Sequence, residues 1–338
     1  MVSILVPLGI ALGMSQDGLQ SPLSRELSEA SFRTAGVVRQ TGIILGMTVF
    51  ISNDGRSITP GEVAFDSNGA ARKNLTADLA SGGSVKMTVE AFDPITDVAL
   101  LKPDRTPKNV LAARPAKEIL SSVALGVLPT GQTRVQITRS YVTGVLDFSS
   151  RYVPLVEVRL ESEPTSLAGS PIFSPDGTIV GMLLASLGGR EAVLNDSSMS
   201  ATGVNTLLGP RQASTAYALS PSILQRVADG FLKNRGFVRH PWIGLFFDGT
   251  PDGGAMVTSV VPNGPSALAG LIPGDLVIGG GTRKVISHYD LAAYLFGLQV
   301  GAVADLTIIR EGEMKPVKVA VSFDPRIQQS SLRRIKPL

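Results

Sequence analysis

The sequence predicts a mostly β protein of two domains, and three observations carry that reading. Short apolar runs recur between turn signals such as Asn53-Asp54-Gly55 and Ser81-Gly82-Gly83, in a chain that holds Gly 36 and Pro 22 among 338 residues. Several of these runs alternate apolar and polar residues with a period of two, as half-buried strands do. From Trp242 onward the pattern shifts to a compact unit of about 85 residues, within ordinary domain size. The length suits about two domains, each able to bury its own core.

Taken in order, residues 2 to 14, "VSILVPLGIALGM", form an apolar run shorter than the roughly 20 residues a bilayer span needs. The run fits the core of a secretory signal, so we expect a signal segment at 1–14 and an exported, extracytoplasmic chain. A polar segment at 15–38 follows, with a short helix around "SRELSEASF". Residues 43 to 51 open the strand series. Val85, Met87, Val89 and Ala91 alternate with Lys86, Thr88 and Glu90, and Val156, Val158 and Leu160 alternate with Glu157, Arg159 and Glu161. Ile179 to Ala185 is apolar apart from Gly181, which suits a strand covered on both faces. Residues 187 to 214, rich in Gly, Ser, Asn and Thr, read as a long surface loop.

Ser220-Pro221 offers an N-cap followed by proline at the first helical position, Leu224, Val227 and Phe231 share a face, and Gly236 falls where a C-terminal cap belongs. This predicts a linker helix, placed at 223–238. Beyond it, strands are expected at 255–261, 275–278, 304–310 and 316–323. A helix is expected to start at Ser287, where Ser287 and Asp290 form an S-x-x-D capping box ahead of Leu291 and Leu295.

The charge balance excludes little: 31 basic against 28 acidic residues gives +3. The basic residues are scattered, and the dense group Arg333, Arg334 and Lys336 lies in the tail at 325–338, so no nucleic-acid partner is expected. The absence of cysteine excludes disulfides, thiol catalysis and Cys-based zinc sites. No cofactor is expected. The two histidines, His240 and His288, are expected to be exposed polar residues of the second domain or its edge.

Several separate stretches between about Gly46 and Phe323 resemble the HtrA/DegP-like family. "GMTVFISNDGRSITPGEVA" is similar to the family's first-barrel segment ending in the catalytic histidine, and "DPITDVALLK" to the segment holding the catalytic aspartate. "SPIFSPDGTIVGM" is similar to the strand after the catalytic serine, and "TAYALSPSILQRV" to the end of the second barrel with its exit helix. The turn from Asn263 to Ala267, Ala269 to Leu271 and Pro273 to Asp275 resemble the core motifs of a PDZ domain. The resemblance implies a trypsin-like double β-barrel at 39–222 followed by an α+β PDZ domain at 239–324.

Serine proteolysis needs a hydroxyl nucleophile, an imidazole base and an orienting carboxylate. On the matched positions the resemblance puts Glu62 where the histidine belongs, Asp97 at the aspartate, and Ala168 or Leu167 at the serine, depending on which flanking proline is counted from. A carboxyl at position 62 has an ordinary pKa about two units below that of imidazole, and Asp97 would add a like charge to it. Ser166 and Ser170 stand as displaced substitute nucleophiles. A Glu62/Asp97 pair could also hold a divalent cation, though two ligands are a weak signal and no metal site is expected.

For the second domain the resemblance implies capture of an extended chain end by strand addition. Backbone N–H groups near Ile243, Gly244 and Leu245, after Trp242, would receive a terminal carboxylate, and Leu291 with Leu295 would form either an apolar side-chain pocket or ordinary core. The expected function is thus a non-catalytic HtrA-like pseudoprotease that binds C-terminal or unfolded peptide segments, with a role in protein quality control. The alternative is a serine endopeptidase with a non-standard site. Expected partners are peptides or unfolded chain ends, further copies as in a trimer, or active relatives.

Overall fold

The computed structural model describes residues 32–117, 119, 123–128, 131–145, 152–160, 168–184, 193–194 and 215–323. The expected signal segment, nearly all of the N-terminal helix and of the 187–214 loop, and the tail lie outside the described residues. Among the described residues no helix is long and apolar enough to cross a membrane.

Six strands close the first barrel: β1 (Ala35–Gln40), β2 (Ile43–Phe50), β3 (Ser57–Pro60), β4 (Leu75–Leu79), β5 (Ser84–Asp93) and β6 (Val98–Pro103), in the order β1-β2-β3-β6-β5-β4. The period-two stretch at 85–91 lies in β5, where Val85 and Met87 enter the core while Lys86 and Thr88 face water. A single turn of helix, α1 (Gly61–Ala64), follows β3 directly.

The second barrel is built from β7 (Val123–Leu128), β8 (Gly131–Val145), β9 (Tyr152–Leu160), β10 (Pro171–Phe173), β11 (Ile179–Leu183) and β13 (Thr215–Leu219). They run in the order β8-β7-β10-β11-β13-β9, and pairing of β8 with β9 completes the ring; β12 (Val193–Leu194) adds to β8. All five residues of β11 are buried, as its apolar composition requires.

Helix α2 (Pro221–Lys233) starts behind Ser220 with proline in its first turn and ends in Asn234, after which Arg235 and Gly236 both take positive φ. The helix therefore begins two residues before, and stops five residues short of, the expected 223–238. The left-handed pair Arg235-Gly236 reverses the chain, with the Gly236 amide donating to Phe231 O at 3.1 Å. Ile223, Leu224, Val227 and Phe231 bury their side chains in one apolar cluster that also holds Met47, Val49 and Leu100 of the first barrel and Leu155, Phe173 and Met182 of the second. The predicted amphipathic face thus staples the barrels together.

The second domain pairs β14 (Pro241–Trp242) with β21 (Ser322–Phe323), and forms a sheet ordered β15 (Leu245–Gly249), β16 (Ala255–Val260), β17 (Leu276–Gly280), β19 (Val303–Arg310), β20 (Glu313–Ala320), with β18 (Arg283–Lys284) on β17. The strand expected over 316–323 is split at Val321. There the chain exchanges hydrogen bonds with Gly301 and Ala302 and crosses from β19 to β14. Helix α3 (Pro265–Leu268) is short, and α4 (His288–Gly297) carries the expected capping box: Ser287 Oγ accepts from the Asp290 amide, and Asp290 Oδ2 accepts from the Ser287 amide at 2.8 Å.

Candidate functional site

Two regions gather the residues singled out by sequence. The first lies around α1. The Gly61 amide donates to Asp97 O at 2.7 Å, and a Cβ on Gly61 would overlap the Asp97 carboxylate, so glycine lets that side chain approach the start of the helix. Asp97 itself sits at φ 53, in the turn between β5 and β6. Glu62, next along the helix, is half-buried. Ala168 is buried at 5% exposure in the first barrel's apolar cluster with Val63, Ala64 and Phe92. Its carbonyl accepts the Met47 amide at 2.7 Å, and Gly46, which has no side chain to intrude, leaves room for that oxygen beside Val63.

The backbone beyond Ala168 is equally committed. The Gly169 amide donates to Leu183 O at 2.8 Å, and Ser170 O accepts the Leu183 amide at 2.8 Å. Gly169 takes φ 83, and a Cβ on it would run into the Met47 carbonyl. The Ser170 side chain is fully buried, and its hydroxyl has no hydrogen-bond partner among the described residues. Ser166 and Leu167 lie outside the described residues. Glu62, Asp97 and Ala168 thus surround one helical turn, and no histidine is placed there. Among the described residues, no three His, Cys, Asp or Glu side chains gather as a metal ion would require.

The second region is the open side of β15. Among the described residues this strand ends the sheet and pairs with β16 alone, and α4 packs beside it. The turn before it is tightly fixed: Ile243 O accepts the Ser266 amide and Gly244 O accepts the Val261 amide, both at 2.9 Å. Gly244 takes φ 69, and its Cα lies under the Trp242 ring, where a Cβ would sit 3.2 Å from two ring carbons. Trp242 and Leu245 are half-buried and Ile243 is buried. Leu291 and Leu295 differ: Leu291 is fully buried in the domain core with Val257 and Leu306, and only Leu295 keeps surface. Phe246, at 49% exposure on the edge strand, was not singled out by sequence reading.

Both histidines depart from the expected exposure. His288 starts α4 and packs against Gly249 at the far end of β15, so closely that a Cβ on Gly249 would meet its Nδ1. Burial lowers its pKa, with Asp248 and Asp290 opposing that shift. His240 is 3% exposed, and its Nε2 lies 2.7 Å from Asp93 Oδ2, at the end of β5 in the first barrel. Burial pushes the Asp93 carboxyl up, but the charge and hydrogen bond of His240, with hydrogen bonds from Thr96 and the Ile95 amide, hold it below its ordinary value. The partners are 147 residues apart, so no local pattern reveals the pair.

A family profile described as "PDZ domain" matches residues 238–321. Over 298 residues the chain is 26% identical to a protein named "Probable periplasmic serine endoprotease DegP-like" from Pseudomonas fulva, covering 83% of this chain and 56% of that one. A protein of the same name from Ectopseudomonas mendocina is 24% identical over 325 residues, covering 90% and 62%. These likenesses support an HtrA/DegP-like family resemblance for the chain. It spans a little over half the length of these curated relatives. Among solved structures, "HtrA-type protease AlgW with decapeptide" superposes with a TM-score of 0.60 at 17% identity, over 90% of this chain and 99% of that one. The serine endoprotease from Yersinia pestis superposes with a TM-score of 0.53 at 18% identity, over 91% and 100%. The expected fold therefore stands: two barrels of HtrA type followed by a PDZ domain. β15 and α4 both lie within the residues matched as a PDZ domain.

Proposed function

We propose that this HtrA/DegP-like chain is a pseudoprotease that holds extended chain ends in the groove between β15 and α4 and does not cut them. The observation that carries the reading is Ala168: the residue matched to the family's nucleophile is a methyl packed against Val63, with Glu62 where the base belongs. Loss of a triad member costs on the order of 10⁴ in rate or more, and two are replaced here. The burial of the Ser170 hydroxyl, with no described residue placed to take its proton, speaks against substitute chemistry there.

The free edge of β15 supports the binding half of the proposal. Its unpaired backbone groups can ladder with an added strand, and the Trp242-to-Leu245 turn presents amides to a terminal carboxylate. Leu295, on the adjacent helix, supplies the apolar contact for a terminal side chain. Since the matched relatives are named periplasmic, we place the chain in the periplasm, acting in protein quality control as an oligomer or beside active relatives.

The test has two arms. Incubated with unfolded casein, the full chain is expected to leave it intact; cleavage that Ser166→Ala or Ser170→Ala abolishes would establish the endopeptidase alternative instead. Against a library of free C-terminal peptides the chain is expected to retain those with apolar ends, and Gly244→Glu is expected to abolish retention. Equal retention by that variant would overturn the groove reading.

A further inference from the structure

Helix α4 walls the proposed groove on one side and is gripped on the other. Phe296, in its last turn, is 6% exposed and belongs to the same apolar cluster that joins both barrels to α2. The Arg226 guanidinium, reaching from α2, lies over the Phe296 ring at 5.0 Å from its centroid, and its Nη2 donates to Leu298 O at 2.9 Å. Leu298 ends α4, so a cation from the linker satisfies a terminal carbonyl of the groove helix and complements its dipole.

His240 completes the grip. Its ring lies 5.4 Å from the Phe296 ring, and its Nε2 engages Asp93, which Thr96 and the Ile95 amide also hold in place. The charged group against the imidazole is Asp93 from β5, Arg226 from α2 interacts with that same Asp93, and the neighbouring Arg239 turns away over the Phe323 ring at 5.2 Å. Burial lowers the Arg226 pKa to about 10, with Asp93 opposing, so it remains a cation at neutral pH. Among the described residues, Arg226 Nη1 and His240 Nδ1 are buried without hydrogen-bond partners. A purely apolar seam would join two domains without that desolvation cost; what a directional polar set adds is one orientation.

We infer that Arg226 and His240 are positioning residues that fix the groove helix against the barrels, with Asp93 as the barrel-side anchor, so that docking of the PDZ domain sets the opening between β15 and α4. The functional consequence rests on the peptide-binding reading: by linkage, whatever occupies the groove shifts docking by the same factor that docking shifts its binding.

The chain contains no cysteine, so two introduced ones report a single distance. Spin labels at Lys86→Cys on β5 and Met314→Cys on β20, both exposed positions, measure barrel-to-PDZ separation without a peptide. One narrow distance distribution is expected in the parent. His240→Ala and Arg226→Ala are each expected to broaden it and to speed amide exchange over residues 291 to 298 by ~10-fold or more, with Arg226→Lys restoring part of the order. A merely stabilising role would lower the melting temperature and leave the distribution narrow, which would overturn the inference. Where His240→Ala fails to fold, Asp93→Asn, which preserves shape and removes the charge, decides in the same way. Broadening in a chain that retains no C-terminal peptide would uphold positioning and sink the peptide reading of the groove.

Discussion

The two regions that sequence singles out have opposite characters. Around α1, Ala168 O is spent on Met47 and Gly169 N and Ser170 O on Leu183, and the side chain clustered with Val63 is a methyl. Along β15 one strand edge pairs with no strand among the described residues, and the residues flanking it keep surface. A site that does chemistry needs polar groups held ready in a cleft, and a site that captures a strand needs an unpaired edge. On the proposed reading, the chain has closed the first and kept the second.

A matched pair of substitutions tests this contrast most sharply. Gly169 and Gly244 both take positive φ, where alanine is strained. At Gly169 a Cβ also meets the carbonyl of Met47, a backbone atom with nowhere to go. Gly169→Ala is therefore expected to cost on the order of 3 kcal/mol or more and to lower the barrel melting temperature. Chemical denaturation read by far-UV dichroism checks it; a loss near zero would mean that the junction is looser than its hydrogen bonds require.

The second largest effect concerns Asp275, which lies within the PDZ domain directly before β17. Burial pushes its carboxyl up, but hydrogen bonds from Arg310 and the Ile272 amide outweigh that and hold it below its ordinary value. The Arg310 contacts are bidentate, at 2.6 and 2.7 Å. A depressed carboxyl contributes stability that is fully present above its unfolded pKa, about 3.9, and is lost as pH falls through the folded value. PDZ unfolding should thus change little from pH 7 to about 5 and weaken steeply below about 4. Asp275→Asn should lower the melting temperature at pH 7 by roughly 5 °C or more and flatten the acid limb. Trp242, the only tryptophan, gives a fluorescence signal confined to this domain. An unchanged acid limb in the variant would assign the pH dependence to other groups, Asp93 first.

Gly244→Ala should be milder than its barrel counterpart, at about 1–2 kcal/mol, since its Cβ would meet the Trp242 ring and Val261 at 3.2 to 3.3 Å with no backbone overlap. Its larger effect is expected on retention of C-terminal peptides, which a binding titration on the folded variant separates from stability. Retention as strong as the parent's would show that the turn is not the carboxylate site.

These effects also mark how much was legible beforehand. Strands whose pattern is local were readable: β5 and β9 from alternation, β11 from its apolar run, α4 from a capping box closed within four residues. Glu62 and Asp97 were brought to one place by family resemblance, and the structure supplies the local reason, a glycine that admits the carboxylate to the helix start. What could not be read depended on distant partners. Leu291 follows the same helical spacing as Leu295, yet only packing from the opposite sheet decides that one is core and the other surface. His240 looked like a surface histidine because Asp93 lies in another domain, and Arg226 carries no local mark because Phe296 arrives from 70 residues later.

Restoring a hydroxyl at the cleft should achieve little. Ala168→Ser inserts a polar atom among Val63, Ala64 and Phe92 and is expected to cost about 1 kcal/mol. No cleavage of casein should follow, because His240 is engaged with Asp93 and His288 sits against Gly249 in the PDZ domain. Turnover in this variant that exceeds the parent would reveal a working base at Glu62.

The smallest effect is expected at Ser170, where its sign carries the information. The hydroxyl is at 0% exposure without a partner, so it was stripped of water on folding and received nothing in return. Removing such a group relieves a desolvation cost that a hydrogen-bonded serine would not carry, so Ser170→Ala should be neutral or stabilising by up to about 1 kcal/mol. A nucleophile in waiting would behave otherwise: its replacement would leave a base without its proton donor and would abolish whatever hydrolysis the chain performs. Equilibrium denaturation and the casein assay on the same sample therefore separate the two cases. A destabilised or newly inactive Ser170→Ala would mean that the cleft still holds polar chemistry, and that the contrast between the closed region and the open one is drawn in the wrong place.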